Sequence, residues 1–198
     1  MSETADRETL TRDAVVAAAR DQIRTKGLDA VSLRQVGAAL GVTAPALYAY
    51  VTDKRDLLRA VAEDEFRRLL ERFAEVSETD PIERMRALST AYVEYAIDNP
   101  ELFKTMFLFP PELSFGEATG EEHPMATQAF NYAIDAVRDG MEQGQLVDTD
   151  PALITFVSWT ATHGLANVLN LGFNFDDATR DLLIRTTIDT VIAGLRPR

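Results

Sequence analysis

Ser32-Leu33-Arg34-Gln35-Val36-Gly37-Ala38-Ala39-Leu40-Gly41-Val42-Thr43-Ala44-Pro45-Ala46-Leu47-Tyr48-Ala49-Tyr50 is the stretch on which the fold reading turns. Ser32 followed three residues later by Gln35 is a capping box, in which each side chain satisfies an amide left open at the helix start. A short helix runs from there to about Leu40, and Gly41 stands just past its end, where a left-handed backbone is favoured. Thr43 caps a second helix, Pro45 is tolerated in its first turn, and the helix ends near Tyr50. Two short helices around a glycine turn form a helix-turn-helix. Val36, Ala39 and Leu40 are placed to meet Val42 and Leu47, and small Ala38 and Ala39 allow close approach at the turn. The second helix would then lie in the DNA major groove, presenting Thr43, Ala44, Ala46, Tyr48 and Ala49. The same spacing also suits a plain antiparallel helix pair in an α-helical core, so the pattern by itself leaves both readings open.

Working outward, nearly every segment has helical periodicity, and no run alternates strictly between apolar and polar residues. Residues 1–10 are polar and expected to fray. Thr11 caps a helix to about Lys26, with Ala14, Val15, Ala18, Ala19 and Ile23 on one face and Gly27 as its stop. Asp53 caps a long helix to about Val76, whose arginines alternate with acids as on a solvated face. Pro81 opens a helix to about Asp98, and Asn99-Pro100 breaks the chain sharply. A short helix carries Leu102, Phe103, Met106 and Phe107. The stretch Pro110 to His123 reads as a loop. Pro124 begins a helix ending at Gly144, Asp150-Pro151 starts another ending near Leu171, and Asp177 starts the last, to about Leu195. The expected architecture is all-α, about nine helices. It consists of a three-helix helix-turn-helix domain over residues 1–55 and an antiparallel helical bundle over residues 56–198.

Composition narrows the function. With no cysteine there is no disulfide, thiolate metal site or Cys nucleophile, which suits the cytoplasm. No secretory signal is evident at the N-terminus. The net charge of −12 argues at first against DNA, but residues 1–55 carry +1 and residues 56–198 carry −13. A near-neutral head on an acidic body still permits local phosphate contacts. Residues 151–175 contain no charged side chain, yet Ser158, Thr160, Thr162, His163, Asn167 and Asn170 interrupt them, so a buried helix is preferred to a membrane span. The two histidines are 40 positions apart, His123 beside Glu121 and Glu122 reads as solvated loop, and no metal, phosphate-loop or nucleophile motif occurs. No catalysis, cofactor or metal is expected.

Thr11 to Val61 resembles the DNA-binding domain of the TetR family of regulators. The resemblance rests on Gly27-Leu28, Val31-Ser32-Leu33-Arg34-Gln35-Val36, Leu40-Gly41-Val42-Thr43, Leu47-Tyr48-Ala49-Tyr50 and Asp53-Lys54-Arg55-Asp56-Leu57-Leu58. It implies that Thr43, Tyr48, Tyr50 and Lys54 hold phosphates, that Thr43, Ala44, Pro45 and Ala46 approach bases, and that Ser32 and Arg34 sit near the backbone or groove edge. Lys54 also has a physical motive, since it stands at a helix N-terminus whose amides attract phosphate. Val51 departs from the family's usual Phe, a core position. The second half is similar to a subset of the family with a Trp-x-x-x-His-Gly signature, here Trp159 to Gly164, and with Asn99 to Phe107.

These readings imply a ligand-responsive repressor that binds a pseudo-palindromic operator as a homodimer and leaves it when a small, largely apolar effector binds. The alternative is an all-helical ligand-binding or adaptor protein without specific DNA binding. Candidate ligand residues are Tyr92, Phe103, Met106, Phe107, Phe130, Phe156, Trp159, His163 and Asn167, an aromatic surplus with a few polar groups. Any one of them also suits plain core packing, and His163 is expected to be a satisfied core residue slightly more than a ligand contact. Candidate dimer residues are Leu165, Leu169, Ile184, Ile188, Val191 and Leu195, on the last two helices.

Overall fold

A computed structural model describes residues 10–109 and 124–197. The expected frayed start and the Pro110–His123 loop therefore lie almost wholly outside the described residues. The elements in order are α1 (Arg12–Lys26), a 3₁₀ turn (Leu28–Ala30), α2 (Leu33–Ala39), α3 (Ala44–Leu47), α4 (Lys54–Ala74), α5 (Pro81–Asp98), α6 (Pro100–Met106), α7 (Pro124–Glu142), α8 (Pro151–Leu169) and α9 (Asp177–Gly194). The described residues are all-helical, with no strand.

Side chains start most of these helices at the positions the sequence marks. Thr11 accepts from the Ala14 amide at 3.1 Å, Asp53 from Asp56 at 2.8 Å, Asp150 from Ala152 at 2.9 Å and Asp176 from Thr179 at 2.8 Å. Each such cap contributes about 1 kcal/mol by satisfying an amide with no partner inside the helix.

Two apolar cores result. The head core holds Val15, Ala19, Ile23, Val36 and Leu47, with Leu57 and Val61 from α4 and Leu102 from α6. Val51 is buried within it. The body core is built from α4 to α9. Thus α4 belongs to both. The guanidiniums of Arg55 and Arg59 on α4 each lie 5.5 Å from the Phe109 ring, which packs against the head core just past α6.

A buried polar lock ties three of these helices. Glu65 on α4 has no exposed surface. It pairs with Arg20 on α1 and accepts a hydrogen bond from the Tyr95 hydroxyl on α5. A carboxylate out of water is tolerable only with such partners, because its desolvation must be offset by charge and hydrogen bonds.

The last two helices differ from expectation. Ile184 and Ile188 on α9 are buried within their own protomer, at 5% and 2% exposure, because α9 lays this stripe on α5 and α8. They are core residues, and the assignment of these two to the dimer surface is corrected. Leu165, Leu169, Val191 and Leu195 are half-buried. The exposed apolar face instead carries Leu153, Val157 and Val168 of α8 and Leu182 of α9. By length and composition α8 is apolar enough to cross a membrane, and 22% of that stretch is buried within the protomer.

Candidate functional site

The turn between α2 and α3 is fixed by two glycines. Gly41 has φ +68°, the left-handed conformation that side chains resist. The Val42 amide donates to the Gly37 carbonyl at 2.9 Å and the Gly41 amide to the Ala38 carbonyl at 3.3 Å. This pairing is the Schellman ending of α2. Gly37 is the closer constraint, since a Cβ there would stand 2.9 Å from the Val42 carbonyl oxygen. The expected close-approach residues Ala38 and Ala39 are exposed instead. A glycine inside a helix costs about 1 kcal/mol relative to alanine, so Gly37 was itself the legible sign of a tight contact.

The second helix is shorter than expected. Regular α-helix covers Ala44–Leu47, after which i→i+3 bonds such as Tyr50 to Leu47, 2.9 Å, carry the chain to Val51. Thr43 sits at the N-cap position but its side chain makes no capping bond. The reason is local: Pro45 has no amide, and the Ala46 amide bonds the Thr43 carbonyl at 3.0 Å. Thr43, Pro45, Ala46 and Tyr48 are exposed, Tyr48 at 58%, while Ala44 and Tyr50 are half-buried. Arg34 and Lys54 are exposed, whereas the Ser32 hydroxyl serves as the cap of α2, accepting from Gln35 at 3.3 Å.

Arg12 fastens the far side of this turn. It donates to the Tyr50 carbonyl and to Asp56 at 3.0 Å, and Asp56 also accepts from the Thr52 amide at 2.8 Å. The Arg12 guanidinium, with these amide and hydroxyl donors, holds the Asp56 carboxyl below its ordinary value. The start of α4, and Lys54 with it, is thereby set against the end of the helix-turn-helix.

The body contains a cavity of about 190 Å³. Phe66 and Leu69 of α4, Tyr92 of α5, Phe107, Phe130 of α7 and Trp159 of α8 supply much of its wall, and among the described residues no charged side chain lines it. Four of the expected ligand residues, Tyr92, Phe107, Phe130 and Trp159, are therefore brought together. Phe103 and Met106 are fully buried packing residues outside the lining, and the Phe156 ring packs at a tilt against Phe130, centroids 4.8 Å apart. Asn167 is exposed and donates to the His163 carbonyl at 2.8 Å, so it faces away from the cavity. The wall contributed by α4 was missed, although Phe66, Leu69 and Phe73 recur at helical spacing. Ser158, beside Trp159, was missed as well.

His163 stands behind the wall in an aromatic cage. Its ring lies 4.6 Å from Phe107, 5.1 Å from Trp159 and 5.4 Å from Phe103. The Trp159 indole N–H donates to the Tyr92 oxygen at 3.1 Å, and that hydroxyl pairs with His163 Nδ1 at 2.8 Å. An indole only donates, so the Tyr92 oxygen is its acceptor, and the direction of the Tyr92–His163 bond follows the imidazole tautomer. Burial pushes the Tyr92 phenol up and the His163 imidazole down, which keeps both neutral. The three polar groups thus satisfy one another.

A helix-turn-helix head joined through α4 and α6 to a body with an apolar cavity defines a ligand-responsive, DNA-binding transcriptional regulator. Residues 15–61 match the family described as bacterial regulatory proteins, tetR family, and residues 85–191 match the tetracyclin repressor-like C-terminal domain. The chain belongs to the TetR family. Among solved structures it is similar to a protein of unknown function from Rhodococcus sp. RHA1, 28% identical with TM-score 0.80, over 98% of this chain and 100% of that one. It is also similar to the TetR family transcriptional regulator PfmR from Thermus thermophilus, 24% identical with TM-score 0.64, over 96% and 100%. A third is RolR in complex with resorcinol, 18% identical with TM-score 0.69, over 94% and 88%. No curated protein sequence matches the chain.

Proposed function

We propose that the chain is a repressor that binds a pseudo-palindromic operator as a homodimer and is released by a small, largely apolar effector. One observation carries this reading: α4 supplies Leu57 and Val61 to the head core and Phe66 and Leu69 to the cavity wall. A ligand that favours one position of α4 in the body necessarily biases the head. It can do so only through its differential affinity for the two arrangements.

On the head, the exposed Thr43, Pro45 and Ala46 are the groups to meet bases, while Tyr48 and Lys54 hold phosphates. Ala44, Tyr50, Ser32 and Arg34 complete the proposed surface. On the body, Val157 and Val168 of α8 share an exposed face with Gly164, whose missing side chain opens on empty space. A second copy covering this face would pair α8 and α9 of two protomers and set two heads side by side, as inverted half-sites require. RolR holds resorcinol, which supports a one-ring ligand as compatible with this fold.

The test is fluorescence anisotropy on the duplex just upstream of the chain's own gene. Sequence-specific binding with a slope against salt that falls by about one on Lys54→Ala is expected. Binding that ignores sequence would favour an adaptor or ligand carrier instead.

A further inference from the structure

Four of the cavity's polar side chains are committed, and two serines, Ser89 and Ser158, make no side-chain hydrogen bond among the described residues. The Thr155 hydroxyl donates to the Pro151 carbonyl at 2.8 Å, and the Thr162 hydroxyl to the carbonyls of Ser158 and Trp159 at 3.0 and 3.1 Å. The indole N–H of Trp159 and the Tyr92 hydroxyl are held in the chain that ends at His163. Ser158 is the buried one of the two: its Oγ is shut off from water, the residue lies in the cavity wall, and the hydroxyl has no hydrogen-bond partner among the described residues. A helical serine can satisfy itself on the carbonyl four residues back, so an unpaired one buried in a cavity wall is a group held open at a cost to the ligand-free fold.

Size and charge limit what can meet it. A dry apolar cavity of about 150 Å³ holds benzene, and this one is about 190 Å³. One ring with a small substituent or two fills it. The surrounding Phe66, Phe73, Phe107, Phe130 and Trp159 offer edges and faces to an aromatic ring. With no charged side chain in the wall among the described residues, a carboxylate or ammonium would enter there without a counter-charge, which is strongly unfavourable.

We infer that the cavity takes an uncharged single-ring aromatic molecule bearing a hydroxyl-type group, and that Ser158 Oγ is the residue that reads that group. This rests on the ligand-responsive reading above and gives it a ligand class and a specificity-determining residue.

The probes are 4-methylphenol, toluene and 4-methylbenzoate, titrated against the full chain by calorimetry and by the fluorescence of Trp159, the single tryptophan. Ser158→Ala is expected to weaken 4-methylphenol about 3- to 10-fold and leave toluene unchanged, the effect of one hydrogen bond. The same change should leave the melting temperature of the ligand-free protein equal or higher, because it removes an unpaired buried hydroxyl. Ser89→Ala, on the α5 wall, is the control and should leave the phenol-to-toluene ratio alone. The benzoate should not bind. The inference is overturned if no probe binds, if the benzoate binds best, or if Ser158→Ala shifts phenol and toluene alike. It is equally overturned if Ser89→Ala carries the loss, or if Ser158→Ala lowers the melting temperature. Operator affinity is measured apart from these titrations. Ser158-dependent phenol binding with unchanged operator affinity would uphold the ligand class and remove the regulatory reading.

Discussion

Tyr92 Oη stands 2.8 Å from His163 Nδ1, and the same oxygen receives the Trp159 indole proton. The pair joins α5 to α8 behind the cavity. Burial holds His163 below its ordinary value of 6.5.

That relationship sets a pH dependence. As pH falls through about 6.5, an unfolded chain protonates His163 while the folded one resists, so stability declines with falling pH. Above that range the group contributes no slope. Urea unfolding of wild type and His163→Gln between pH 7.5 and pH 5 is the check. The wild type should lose more stability over this interval than the variant. Equal slopes would mean that His163 is as easily charged folded as unfolded.

The Arg20–Glu65 pair predicts a large loss at a position remote from both DNA and ligand. Arg20→Ala leaves Glu65, which has no exposed surface, without its main counter-charge. The expected cost is about 3 kcal/mol, and Tyr95→Phe should cost about 1–3 kcal/mol. Denaturant titration measures both. A change below about 0.5 kcal/mol for Arg20→Ala, the size of an exposed pair's contribution, would show that water reaches the carboxylate.

The two glycines of the helix-turn-helix separate by mechanism. Gly41 needs a positive φ but has open space at its missing Cβ, so Gly41→Asn should be mild. Gly37→Ala drives a methyl into the Val42 carbonyl and should cost about 1–3 kcal/mol. The reverse order in thermal unfolding would misplace the close contact.

The architecture was legible in the sequence because its signals are local. Caps at Thr11, Asp53 and Asp150, and the glycine of the turn, mark helix ends by chemistry that needs no distant partner. The cavity was only half legible. Aromatics clustered in the second half pointed to Tyr92, Phe107, Phe130 and Trp159, but periodicity cannot tell which buried stripe faces a void and which faces packing. Phe103 and Met106 went to packing, and Phe66 of α4 went to the void. The same ambiguity moved Ile184 and Ile188. An apolar stripe on a last helix fits a partner's surface or its own core equally well, and only the fold of α9 onto α5 and α8 decides.

This correction makes its own prediction. Val157 is 45% exposed and Ile188 is 2% exposed. Val157→Asp should give a folded monomer with weakened operator binding, whereas Ile188→Asp should lose helical structure altogether, since a charge is buried without a partner. Sedimentation with circular dichroism distinguishes them. A folded dimer in Val157→Asp would remove α8 from the proposed interface.

The most direct measurement is operator affinity with and without a saturating cavity ligand, read by anisotropy on one labelled duplex. A repressor released by its ligand gives specific, salt-sensitive binding that weakens at least tenfold when the cavity fills, a differential affinity of about 1.4 kcal/mol. It also loses that response when α4's cavity wall is altered by Leu69→Ala while operator binding without ligand is retained. Unchanged operator affinity with a ligand demonstrably seated beside Trp159 would contradict it.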